Sequence, residues 1–127
     1  TIKLWDAKDA RKLLQLDGHT SEVTALSFSE NGYYLASAAK DGVKIWDLRK
    51  SKIVQEIEAS GAHAVSFDHS GSYVAVGGHN ASVYRVKGKW DLLKEFEVKK
   101  AVKAVAFGSD ARSLAVGSAD HNLRIFA

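Results

Sequence analysis

Residues 23–28 read Val-Thr-Ala-Leu-Ser-Phe, and the pattern returns as His-Ala-Val-Ser-Phe at 63–67 and Val-Lys-Ala-Val-Ala-Phe at 102–107. Each copy continues through a turn into a second apolar stretch: Tyr34-Leu35-Ala36-Ser37, Tyr73-Val74-Ala75-Val76 and Ser113-Leu114-Ala115-Val116. Each then closes on a short alternating segment ending in an aromatic: Ile45-Trp46, Val83-Tyr84 and Ile125-Phe126. The shared Phe stands at 28, 67 and 107 and the closing aromatics at 5, 46, 84 and 126, so the period is close to 40. Apolar positions alternate by two, which places side chains on the two faces of a strand; no segment follows the 3.6 period of a helix.

A period near 40 with four short strands per unit marks the blades of a β-propeller. The expected fold is all-β. It comprises about three four-stranded antiparallel blades, over repeats 11–47, 51–86 and 90–127, behind a leading strand at 1–6. The fourth strand of each unit, at 12–16, 52–58 and 90–97, is polar and suits an outer edge facing water. The first two strands are nearly all apolar or small, as expected of strands buried between blades. Glu30-Asn31-Gly32 and His69-Ser70-Gly71 put Gly where a hairpin needs positive φ, and Asp41-Gly42 makes a further tight turn. Ser109-Asp110-Ala111 holds the equivalent place without Gly, which predicts a different turn type. Three blades fall short of the four to eight in a ring. With no Met and an opening inside a strand, residues 1–127 read as the C-terminal part of a longer propeller, its missing blades supplied either by chain before residue 1 or by assembling copies.

Composition narrows the function classes. Hydrophobic residues make up 46% and charged ones 26% of 127 residues, which excludes a disordered or fibrous chain. No apolar run approaches the ~18–20 residues that cross a bilayer, and no secretory signal opens the chain, so no membrane association is expected. The absence of Cys excludes disulfides, thiolate metal sites and a cysteine nucleophile. A net charge of +3 is too small to announce a nucleic-acid binder.

Gly18-His19 and Trp46-Asp47 bracket the first full repeat, with Ser37 on its second strand and Asp41 in the following turn. This resembles the WD-repeat family. The resemblance implies that His19, Ser37, Asp41 and Trp46 form a hydrogen-bonded structural tetrad inside the blade, where buried polar groups need partners. Ser37, His19 and Asp41 are also the residue types of a catalytic triad, but the repeat phase together with Trp46 accounts for all three. The turn holding Asp41 is one residue shorter than the family's usual form, which bears on its reach to His19. The other repeats carry Val76 and Val116 in place of Ser37 and Tyr84 and Phe126 in place of Trp46, so packing alone is expected to hold them.

No catalytic residue is assigned. His19, His63, His69, His79 and His121 show no metal-binding spacing, so no metal is expected. Gly77-Gly78 lacks the spacing and helix of a phosphate-binding loop, so no cofactor is expected. Candidate partner-binding residues are the loop-proximal Ser21, Glu22, Lys40, His79, Lys99, Lys100 and His121, with His79 and His121 in equivalent loops on one rim. The basic stretch 85–103 offers an alternative, an RNA-contacting surface around Lys99 and Lys100, although aromatic interleaving is sparse there.

The string from Phe28 to Ser37, continuing into 43–50, Phe67-Asp-His-Ser-Gly-Ser-Tyr73, Lys89-Trp90 and Leu123-Arg-Ile-Phe126, resembles the C-terminal propeller of the spliceosomal U-box ubiquitin ligases. That resemblance implies a nuclear scaffold, part of a seven-bladed propeller, that binds splicing-complex proteins and ubiquitination substrates. It also implies a parent that forms a homo-tetramer and carries the ligase activity outside these residues. A generic WD-repeat adaptor unrelated to splicing is the remaining alternative.

Overall fold

A computed structural model describes residues 2–5, 7–8, 11–30, 32–58, 61–70, 72–86, 92–97, 101–108, 113–119 and 123–126. Every regular element among them is a strand, and all pairings are antiparallel. β1 (Ile2–Trp5) and β2 (Lys12–Leu16) form a two-stranded sheet. β3 (Val23–Phe28), β4 (Tyr34–Ala39), β5 (Gly42–Asp47) and β6 (Lys52–Ile57) form a four-stranded meander. β7 (Ala64–Phe67), β8 (Tyr73–Gly77), β9 (Ala81–Arg85) and β10 (Leu92–Phe96) form the next, and β11 (Val102–Phe107), β12 (Leu114–Ser118) and β13 (Leu123–Phe126) a three-stranded sheet. These are propeller blades.

Sheets and sequence repeats are offset by one strand. β2 pairs with β1, β6 with β5 and β10 with β9, so the polar strand that opens each sequence repeat closes the sheet before it. Its side chains fit that edge: β6 alternates exposed and half-buried residues, and β10 is exposed over 92–95.

The sheets stack face to face through three apolar layers. Ile2 and Leu16 pack on Leu35 and Trp46. Ala36, Ala38, Val43 and Ile45 of the first blade meet Val65, Phe67, Val74 and Val76 of the second. Ala75 and Ala81 meet Val102, Leu114 and Val116 of the third sheet. Burial peaks on second and third strands, with β4 buried from Leu35 to Ala39. The first strand of the first blade departs from the expected burial: β3 alternates half-buried and exposed, and Leu26 and Phe28 are 51% and 58% exposed. The cause lies in the preceding sheet, whose two strands cover Leu35, Trp46 and Ile53 and reach β3 only at Val23, leaving Leu26 and Phe28 uncovered.

Hairpin closure repeats with the period. The backbone N–H groups of Ser29, Asp68 and Gly108 donate to the carbonyls of Tyr34, Tyr73 and Ser113 at 2.9, 3.0 and 2.8 Å. Gly32 has φ 74° and Gly42 has φ 124°, as their turns require. Asn31, Gly71 and the Ser109-Asp110-Ala111 turn lie outside the described residues.

Candidate functional site

A continuous hydrogen-bonded chain crosses the first blade. The Trp46 indole N–H donates to Ser37 Oγ at 2.9 Å, Ser37 Oγ lies 2.6 Å from His19 Nε2, and His19 Nδ1 lies 2.9 Å from Asp41 Oδ1. A neutral His19 protonated on Nδ1 satisfies every link, with the Ser37 hydroxyl donating to Nε2. The chain is local in space because β4 and β5 pair closely, Ser37 opposite Lys44 and Leu35 opposite Trp46. Gly18 lets the incoming segment approach, since a Cβ there would stand 3.0 Å from the Trp46 ring and 3.2 Å from Ile53. Asp41 reaches His19 despite its short turn, which Gly42 closes at positive φ.

Asp41 also fixes the segment entering β3. Its Oδ2 accepts the Thr20 N–H at 3.0 Å and the Thr20 hydroxyl at 3.2 Å, and its Oδ1 accepts the Ser21 hydroxyl at 3.1 Å. Burial acts to raise the Asp41 carboxyl, but the Thr20 N–H, His19 and the Ser21 hydroxyl outweigh it and hold the group well below the usual carboxylate range. This arrangement is unsuited to nucleophilic catalysis. Ser37 is 0% exposed, and its oxygen already accepts the Trp46 N–H.

Of the remaining candidates, the described ones occupy one rim, at the ends of β4 and β8 and the start of β3. Ser21 is half-buried and turned inward, its oxygen also accepting the Asp41 N–H at 3.2 Å. Glu22 and Lys40 are exposed. His79 is exposed beside Gly61 and borders a cavity of about 170 Å³ lined also by Glu58, Asn80, Ser82, Tyr84 and Glu95. Lys99, Lys100 and His121 lie outside the described residues, as do Lys87, Lys89, Trp90 and Asp120. Among the described residues, no group of three or more His, Asp or Glu is placed to hold a metal, and no helix is long and apolar enough to cross a membrane.

Outside the candidate partner-binding set stand two rim residues and two buried turn residues. His63 and Lys103 stand at one repeat phase, four residues before Phe67 and Phe107, and Lys40 and His79 share another phase; position within the period was the signal. At the opposite rim the buried Asp68 accepts the Tyr73 N–H at 2.7 Å and the Ser70 N–H at 3.1 Å. Ser29, at the same phase, accepts the Tyr34 N–H at 3.1 Å. Asp47 there grips Arg49 through two side-chain hydrogen bonds, at 3.3 and 3.1 Å, and the guanidinium lies 4.3 Å over the Tyr33 ring.

Comparison with known proteins follows the same repeat. The WD domain, G-beta repeat family matches residues 10–47 and 90–126. The chain is 49% identical over 98% of its length to a protein of Arabidopsis thaliana named pre-mRNA-processing factor 19 homolog 2, and 47% identical over 98% to pre-mRNA-processing factor 19 of Oryza sativa subsp. japonica. It spans about a quarter of these relatives, 25% and 26% of their lengths. It is also 39% identical, over 55% of its length, to the Arabidopsis small ribosomal subunit protein RACK1z, covering 21% of that protein.

Proposed function

The chain belongs to the WD-repeat family, and on that premise we propose that it is a rigid protein-interaction platform in a pre-mRNA splicing-associated complex. The observation carrying this reading is the identity of nearly half the residues, across 98% of the chain, to two proteins named pre-mRNA-processing factor 19. On this reading residues 1–127 are the C-terminal part of a seven-bladed propeller in a nuclear, tetrameric U-box ubiquitin ligase of the spliceosome. Ubiquitin transfer and tetramer formation belong to other parts of that protein, and the propeller binds splicing-complex proteins and ubiquitination substrates.

The mechanism is presentation without catalysis. The His19–Ser37–Asp41–Trp46 set acts as a structural tetrad that clamps the segment entering β3 to the β4–β5 turn. Glu22 and Lys40 are thereby offered from a pre-ordered rim, with His79 on the next blade. A rim ordered before binding avoids much of the entropy cost of ordering loops on a partner. By sequence position, Lys99, Lys100 and His121 complete the proposed binding set, and Ser21 supports it from within.

Affinity purification of the endogenous protein from nuclear extract, followed by mass spectrometry, tests the reading. Recovery of splicing factors with ubiquitin-conjugating enzyme is the expected result. Recovery of an unrelated set of partners, with no splicing protein among them, overturns it.

A further inference from the structure

Basic side chains from three successive sheets meet on the rim just described. Lys40 follows Ala39, which pairs with Val23 at the start of β3. Thr24 then donates its hydroxyl to the His63 carbonyl at 3.1 Å, drawing the start of β7 against β3. The His63 N–H donates to the Gly77 carbonyl, and the Val102 N–H to the Gly78 carbonyl, both at 2.7 Å, so His79 and Lys103 take the next places along the rim. Among the described residues, every charged group acting on the His63 imidazole is positive: Lys103, Lys40 and His79. Burial first, and then these three, hold that imidazole below its ordinary range.

No carboxylate among the described residues pairs with any of the four, whereas Lys44, Arg49, His19 and His69 each have one. Of the acidic groups nearby, Asp41 is engaged by His19, Thr20 and Ser21. Glu22 stands before β3, and Glu58 and Glu95 share the cavity beside His79, with Glu95 accepting from the Asn80 amide at 2.9 Å.

We infer that Lys40, His63, His79 and Lys103 form a docking site for an acidic peptide segment, a run of Asp or Glu side chains on a partner protein. The inference rests on the interaction-platform reading and supplies the partner's chemistry. Two lysines and two protonatable imidazoles gathered where three strands begin fit a short cluster of carboxylates better than the extended track that a nucleic-acid backbone needs. Among the described residues, the exposed aromatics Phe28 and Tyr33 lie on the opposite rim, away from this cluster and from any base that it would hold. No arginine belongs to the cluster, and planar bidentate arginine is the favoured partner of phosphoryl groups.

Fluorescence anisotropy with a fluorescein-labelled oligoglutamate, titrated with the full-length protein at low salt, tests the site. Lys40→Glu combined with Lys103→Glu should weaken binding about tenfold, or about 1.4 kcal/mol. Lys50→Glu, in the turn after β5 on the opposite rim, should leave it unchanged. Binding should also tighten as pH falls below the ordinary histidine range, because His63, held below that range, takes up a proton there to join the site. If charge reversal impairs folding, Lys40→Gln with Lys103→Gln should give a smaller loss in the same direction. Undetectable oligoglutamate binding overturns the inference, as does equal binding by wild type and variants. Tighter binding of oligouridylate or a phosphoserine peptide, lost in the same variants, overturns it in favour of that class. The nuclear purification reads out separately: splicing partners retained by the double variant would sink the docking site and leave the platform standing, while oligoglutamate binding without splicing partners would do the reverse.

Discussion

Phe67 and Ser27 lie 40 residues apart and are joined across two sheets, the Phe67 backbone N–H donating to the Ser27 hydroxyl at 3.0 Å. Thr24 and His63, 39 residues apart, make the second such link. The repeat period thus reappears as polar ties between neighbouring first strands, where packing alone would tolerate sliding. Ser27→Ala should leave the buried Phe67 N–H without this partner and cost about 1–2 kcal/mol, read by urea unfolding. A change below about 0.3 kcal/mol would mean that the tie contributes nothing to blade registry.

Within the first blade the buried imidazole of His19 connects the partly exposed Asp41 carboxylate to an indole that is almost wholly buried, Trp46 being 2% exposed. Ser37→Ala removes the oxygen on which both the Trp46 N–H and His19 converge, and it should destabilise by about 2–4 kcal/mol. Trp46→Phe removes one donor and part of the ring that Gly18 packs against. The combined variant should lose less than the two separate losses together, because both act on one network. Strict additivity in that double-mutant cycle would show that Ser37 and Trp46 are energetically independent.

The strand periodicity and the repeat could be read from the sequence because alternation by two and a 40-residue recurrence both survive in side-chain type. The pairing of β10 with β9 could not, since a polar strand between two units carries no mark of which sheet its backbone will join. The residue types of His19, Ser37, Asp41 and Trp46 are equally plain in the sequence, but the distances among them depend on a turn closed by Gly42 at φ 124°. His63 reads as one more alternating strand residue; its nearness to Lys40, His79 and Lys103 exists only once three blades are stacked. Asp68 and Ser29 were overlooked for a simpler reason. Asp and Ser are common at hairpin entrances, and only burial distinguishes those that hold the turn together.

Acid should unfold this protein through its depressed carboxylates. At Asp41 burial favours the neutral acid, but the Thr20 N–H, His19 and Ser21 prevail, and at Asp47 the Arg49 guanidinium lowers the group. In the unfolded chain both carboxyls take up protons near the ordinary value of 3.8, while in the folded chain they resist doing so. Their contribution is therefore complete above that value and is lost as pH falls below it. The urea midpoint should decline steeply below pH 3.8. Asp41→Asn should start lower and decline less steeply over that acid range; an unaltered acid slope in the variant would show that the group is not coupled to folding.

Gly77 brings the second blade tightly against the third sheet. A Cβ built on it would stand 2.6 Å from Val102 Cγ1 and 3.2 Å from Val105 Cγ1, and Val102 is fully buried. The conflict is one of space, since an added methyl must displace side chains already packed against Ala75 and Ala81. Close-packed interiors resist such insertion, so Gly77→Ala should cost about 1–3 kcal/mol in urea unfolding. Val102→Ala alone should also destabilise, by about 1–2 kcal/mol, through the cavity it leaves. Together the two changes should partly compensate, because the space vacated at Val102 is the space the new Cβ needs. A double variant as unstable as the two single losses combined would place the strain elsewhere than at this contact.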